Sequence, residues 1–462
     1  MLTQAFSKAP QYQYDSSVVG TMLHAPHRSE LNGIDTGERR GREGPPRHGK
    51  GGCAADYGKV TPCCGQNGTA VSPEYQCPAA QPTCVDYVFN HHLGHCTGGA
   101  VAPPLRPSWT PSYVLRNSTF AYLCNFTGFF DPVLAGQFAL VGFDQSNQRG
   151  VGYQGEVPGG GGWKRSDPEQ STCDASMLQQ ASMVKRVNPN TRVLLYRNAE
   201  AAQQWQASSR ALVHNASAAA LLLRRPNGSI FCEPHNNHGY SDGCYYFWAF
   251  NSSRCREAVI EQVYMAGIDT DVFDGYFLDD TPGLWCEHKD HSATLRMSAA
   301  DVGAVVAGTG EMLTALYPRL IARGKFAWQA FNNWPFQPRD GAPTGGSSLS
   351  KHSCAKVLRT FAAMGAADAP FLWFLTLDRH HKPAQLHQDL AGFLITRGQH
   401  AYIGTGWMDD AVPTFPSEYR AEYGSPVAPM AEGPAGVFQR AWSGGTVKLD
   451  CNAFIASGIK PG

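Results

Sequence analysis

The residues best placed to do chemistry lie in the run FDGYFLDD, 273–280, which closes on two aspartates. Side chains alternate along a β-strand, so Gly275, Phe277 and Asp279 share one face while Tyr276, Leu278 and Asp280 share the other. Only one of the two carboxylates can then point fully into a site, and Asp279 is the first choice. Paired carboxylates suit glycosidic cleavage: one carboxyl group protonates the departing oxygen, and the other serves as nucleophile or as base for water. Asp279 is expected in the second role. Its partner stays open among Asp144, Glu200, Glu287 and Asp378, with Asp378 favoured and Asp144 next. Against each stands a plainer reading, since strand-end aspartates often cap helices or accept loop amides.

A sugar site also needs flat apolar faces and planar polar groups for the hydroxyls. Trp248, Trp285, Trp328, Trp334, Trp373 and Trp407 fall in or just after apolar runs. Trp285, Trp334 and Trp407 are candidate stacking residues, and Asp280, Gln145, Arg197 and Asn333 are candidate polar contacts. In-strand residues such as Trp328 and Trp373 are as well suited to packing. His235 with His238, and His380 with His381, lack the remaining ligands of a zinc spacing. Cys232 and Cys244 are expected to close the first of these loops as a disulfide. No metal and no cofactor is expected, and no G-x-S-x-G elbow supports an esterase.

These residues need a scaffold that gathers strand ends. Short apolar runs ending in polar residues alternate with helical stretches from Phe138 onward: FALVGFD, RVLLYRN, YYFWAFN, DGYFLDD, KFAWQAFNN, FLWFLTLD and AYIGTGW. That rhythm is the βα signature. The segment SSRCREAVIEQVYMAG reads as a crossover helix opening on a Ser N-cap and closing at Gly267, and PAQLHQDLAGFLITRG as another running from Pro383 to Gly398. The expected fold is α/β, a (β/α)8 TIM barrel with a small C-terminal β extension and an N-terminal disulfide-rich module. Its missing strand is expected between Asn333 and Phe371. An open doubly wound sheet is the runner-up, but no glycine-rich phosphate motif accompanies a strand.

The expected organisation is a disordered segment at 1–50, a Cys-rich module at 51–98, a Pro-rich linker at 99–135, the barrel at 136–412 and a C-terminal β subdomain at 413–462. With 38 basic against 38 acidic residues in 462, no long-range charge favours nucleic acid or an anionic membrane. A carbohydrate substrate is the expected partner, with a cell-wall glycan as a candidate ligand of the Cys-rich module. Fourteen cysteines, together with sequons at Asn67, Asn117, Asn125, Asn215, Asn227 and Asn251, point to a secreted protein or a secretory-pathway lumen. The segment from Met1 lacks a basic stretch followed by an apolar one, so the leader is read as missing from the sequence.

Three segments carry a resemblance: FDGYFLDD, DLAGFLITRGQHAYIGTGWMDD and EYGSPVAPMAEGPAGVFQRAWSGGTVKLD. Together, over about residues 136–455, they resemble a hypothetical glycosyl hydrolase family of barrels with a strand-four DGxFLDD. The resemblance implies a barrel glycosidase whose tail, from Glu422 to Leu449, forms small strands packed on the barrel, with Arg440 and Gly445 at recurring positions. The spacing from Asp274-Gly275 to Asp279 is similar to the strand-four nucleophile segment of glycoside hydrolase family 31, which implies Asp279 rather than Asp280. Where such enzymes offer an acid on strand five or six, this chain has Gln329, Asn332 and Asn333. A glycan-binding barrel without catalysis is therefore the alternative, and a structural wall protein acting through the cysteine module is a third reading.

Overall fold

A computed structural model of the chain describes residues 63–65, 83–88, 93–97, 106–109, 112–123, 130–143, 173–204, 206–234, 244–279, 297–329, 349–366, 368–378, 382–406 and 414–462. The segment 1–50 and the cysteine side chains of the 51–98 module lie outside the described residues, as do residues of the GAPTGGSSLS loop. Three short strands of that module, Cys63–Gly65, Leu93–Thr97 and Thr83–Val88, form an antiparallel sheet in that order.

The main sheet has seven described strands: β1 Thr119–Leu123, β2 Leu140–Phe143, β3 Arg192–Asn198, β4 Gly275–Asp279, β5 Phe326–Gln329, β6 Phe371–Phe374 and β7 Ala401–Thr405. Their order is β5-β4-β3-β2-β1-β7-β6, with every neighbouring pair parallel. The first strand thus lies beside the last, as in a barrel. Five helices used below flank it: α1 Cys173–Val187, α2 Ser253–Val259, α3 Ala299–Ala322, α4 Cys354–Ala366 and α5 Leu386–Thr396.

Ring contacts demonstrate that the sheet curls. β5 and β7 stand five places apart, about 24 Å in a flat sheet at a spacing of about 4.8 Å. Yet the rings of Trp328 on β5 and Tyr402 on β7 are 5.5 Å apart. Phe120 on β1 likewise stacks on Phe277 of β4 at 6.1 Å. Phe120, Tyr122, Leu140, Leu194, Tyr196, Phe277, Phe326, Trp328, Leu372, Phe374 and Tyr402 form this inner core. The alternate residues, among them Val141, Val193, Leu195, Tyr276, Leu278, Trp373 and Ile403, belong to the outer layer with the helices. Strands buried on both faces read as near-continuous apolar runs, which is why FLWF and RVLL lack alternation.

Two strand assignments need correction. Thr119–Leu123, inside the stretch read as a 99–135 linker, is β1, an interior strand of the sheet, so the barrel begins ahead of residue 136. The run YYFWAFN, counted as a barrel strand, instead places Cys244–Phe247 in a small antiparallel sheet with Ala201–Ala202 and Cys232–Pro234. The two errors cancel, and Gly275–Asp279 is fourth either way. The strand expected between Asn333 and Phe371 is not found in 349–370, where α4 stands; residues 330–348 lie outside the described residues.

Ser252 caps α2 as expected, its hydroxyl accepting the Cys255 amide, and the helix widens into a π turn over Ile260–Met265 before reaching Gly267. α5 starts at Leu386, later than Pro383. Every residue of α5 from Asp389 to Thr396 is buried, as expected of a helix apolar on all sides. It is covered by a meander of β8 Ala431–Glu432, β9 Val437–Trp442, β10 Gly445–Asp450 and β11 Ile455–Ser457. A disulfide from Cys354 at the head of α4 to Cys451 ties this sheet to the barrel. Arg440 secures it further, its guanidinium donating to the carbonyls of Ala428 and Arg397.

Candidate active site

Each part of the DGxFLD segment has its own task. Asp274, just ahead of β4, accepts Lys185 Nζ at 2.6 Å, Arg192 Nη1 at 2.7 Å and the Val193 amide at 2.8 Å. It therefore pins β4 to β3 and to α1 at the N-terminal end of the sheet. At Gly275 a Cβ would stand 1.7 Å from the Phe326 carbonyl oxygen, so only glycine lets β5 approach. Phe277 fills the inner core. Asp279, next on the same inward face, ends the strand at the opposite mouth and is buried, with 6% of its surface exposed.

Around Asp279 the polar groups come from β3 and the loop that follows it. The phenol of Tyr196 donates to Asp279 Oδ2 at 2.7 Å. Asn198 pairs in register with Asp279, and its Oδ1 accepts the amides of Glu200 and Ala201 at 2.9 and 2.7 Å. That folds the chain sharply, so that the Ala199 amide reaches the Asp279 carbonyl. Behind the turn, Tyr264 of the π segment donates to the Asn198 carbonyl at 3.2 Å, and Tyr276 donates to the Tyr264 carbonyl. Burial pushes both phenols' pKa values up, so they stay protonated donors. Gln203 and Gln206, both buried, continue the polar cluster: Gln203 Nε2 donates to the Tyr196 oxygen at 3.3 Å, and Gln206 Nε2 to Gln203 Oε1 at 2.8 Å.

Several expected contacts fall elsewhere. Alternation turns Arg197 outward, where its guanidinium lies over the Tyr276 ring and pairs with Asp174 of α1 at 3.4 Å. Asp378 follows β6 on the same side as Asp279 but is exposed, and its Oδ1 accepts the Lys382 amide at 2.9 Å. Glu200 is buried in the loop after β3. Trp248, Trp328 and Trp373 are all buried; Trp373 faces the outer layer, with its indole N–H directed at Asp389. Asp144, Gln145, Asp280, Trp285, Glu287, Asn332, Asn333, Trp334 and Trp407 lie outside the described residues, as do His235, His238, His380 and His381. Cys232 is disulfide-bonded. Cys255 is a free thiol, but burial pushes its pKa up to about 12, which removes it as a nucleophile. No group of side chains suited to a metal occurs among the described residues.

Tyr196, Gln203 and Gln206 escaped sequence reasoning. The available signal was a run of amide residues, Gln203, Gln204 and Gln206, directly after a strand; such residues seldom collect in a buried loop unless they serve a polar site.

The curled parallel sheet with helices around it defines the class of fold, an α/β barrel-like sheet. Residues 185–446 match the family described as hypothetical glycosyl hydrolase family 15, and the chain belongs to that family. Similar solved structures include the glycoside hydrolase domain of a PelA variant from Pseudomonas aeruginosa, at 11% identity over 62% of this chain and 94% of that one, TM-score 0.30. A debranching enzyme from Nostoc punctiforme is similar at 12% identity over 74% and 90%, TM-score 0.36. An isomaltulose synthase from Klebsiella is similar at 9% identity over 64% and 66%, TM-score 0.36. A comparison with curated proteins finds no match.

Proposed function

We propose that the chain hydrolyses glycosidic bonds of a polysaccharide or glycan, with Asp279 as nucleophile or as base for water. The observation that carries this is the placement of the Asp279 carboxylate in the barrel mouth, accepting the Tyr196 hydroxyl at 2.7 Å. Either role requires an ionised carboxylate, and a donated hydroxyl hydrogen bond favours the charged form over the neutral one. A second carboxyl group protonates the departing oxygen; Asp378 and then Asp144 remain the candidates. Their separation from Asp279 sets the outcome: about 5–5.5 Å gives retention, about 6.5–9.5 Å inversion. The disulfides at Cys354 and Cys232 support an oxidising, secretory compartment.

The test is reducing-sugar release across a polysaccharide panel. Asp279→Asn is expected to abolish release while changing stability by less than about 1 kcal/mol; activity at the wild-type level in that variant removes the assignment. A second reading, glycan binding without cleavage, is favoured by the amides Gln329, Asn332 and Asn333 where an acid would otherwise stand. It requires the wild-type protein to retain a panel glycan yet release no reducing ends.

A further inference from the structure

We infer that Gln203 and Gln206 are positioning residues that fix the direction of the Tyr196 hydroxyl proton and so hold the Asp279 carboxylate in its charged form. The chain of bonds has one polarity throughout. Gln206 Nε2 donates to Gln203 Oε1 at 2.8 Å, which leaves Gln203 to turn its Nε2 toward the Tyr196 oxygen at 3.3 Å. A phenol has one proton. With its lone pair accepting the Gln203 amide, Tyr196 directs that proton to Asp279 Oδ2 at 2.7 Å. Each of these three bonds points toward the carboxylate, so their dipoles reinforce one another. Gln206, Gln203 and Tyr196 are each 1% exposed, so water cannot easily substitute for any link.

Other groups near this end of β4 fit the same picture. On β3 and its loop, the titratable side chains besides Tyr196 are Glu200, buried after the strand, and Arg197, turned outward to Asp174. Across the interior, Tyr122 packs on Phe277 below Asp279. The strand β5, Phe-Ala-Trp-Gln, carries no titratable residue. A neutral amide at 203 supplies an N–H to the phenol while accepting another. An apolar side chain of equal length does neither and frees the hydroxyl to rotate.

The role in hydrolysis rests on Asp279 being the working carboxylate, but the direct test needs no substrate. The full chain is labelled with carboxyl-13C aspartate, and the resonance missing from Asp279→Asn is assigned to Asp279. Relative to wild type, its titration midpoint is expected to rise by about one pH unit in Tyr196→Phe and by about half a unit in Gln203→Met. Gln206→Met is expected to move it the same way by less, and it carries the test should Gln203→Met not fold. A Gln203→Met or Gln206→Met midpoint equal to wild type overturns the relay, whether or not Tyr196→Phe shifts. On a glycan the wild type cleaves, the acidic limb of the rate profile is expected to follow the midpoint, with kcat falling about threefold in Gln203→Met and KM unchanged. Shifted midpoints without cleavage of any panel glycan would leave the relay standing and remove the hydrolase reading.

Discussion

The two ends of β4 carry one aspartate each, Asp274 and Asp279, and surround them differently. At the N-terminal end two cations and a backbone amide grip Asp274. Trp109 plugs the core nearby, its indole N–H donating to the Tyr402 hydroxyl at 2.8 Å and its ring lying under the Arg192 guanidinium. At the C-terminal end, Asp279 accepts a phenol backed by two amides. A carboxylate saturated by charge partners holds chain segments together. One held by a neutral hydroxyl keeps its charge uncompensated, and on the proposed reading that charge serves cleavage. The two carboxylates that bracket the strand are thus held by different kinds of partner, cations at one end and a neutral hydroxyl at the other.

The largest effect should come from breaking the lower end. Asp274→Ala leaves Lys185 and Arg192 facing a gap and is expected to cost about 3 kcal/mol, after allowing for the partial exposure of Arg192. Chemical denaturation checks this, and a wild-type midpoint would erase the contrast between the ends. Gly275→Ala should cost nearly as much, about 2–3 kcal/mol, because the added methyl meets the backbone of Phe326 rather than a movable side chain. Trp109→Phe keeps an aromatic plug but strands the Tyr402 hydroxyl, for an expected loss of about 1 kcal/mol by the same measurement. Similar in stability is Tyr196→Phe at the upper end, at about 1–1.5 kcal/mol. It should nonetheless lower cleavage more than any of the lower-end variants assayed while still folded. An activity loss in Tyr196→Phe no greater than in Trp109→Phe would show that the upper end is architecture too.

Much of this was legible in the chain itself. Alternation along FDGYFLD puts Phe277 and Asp279 on one inward face, and the closing segment GVFQRAWSGGTVKLD is the β9–β10 hairpin in which Trp442 pairs with Gly445. Thr119–Leu123 was hidden because it is short and follows a proline-rich stretch, so its interior place depends on pairing with Ile403–Thr405 far along the chain. YYFWAFN misled because a run of aromatic residues reads alike in a parallel core and in a side sheet. The outward placement of Arg197, against Tyr276 and Asp174, follows from the same alternation that turns Tyr196 inward. The Gln206–Gln203–Tyr196 series was illegible for another reason: bond direction between amides exists only once the loop has folded.

The pairing of β1 with β7 also dictates when the fold can close. Arg397 reaches Ser112 across a separation of 285 residues, and contacts of such range make assembly slow. During synthesis β1 waits with one edge open until β7 emerges, and α5 waits longer for the meander that covers it. A message ending early, anywhere before Ala401, would thus yield a chain with an unpaired strand flank, which is a template for aggregation.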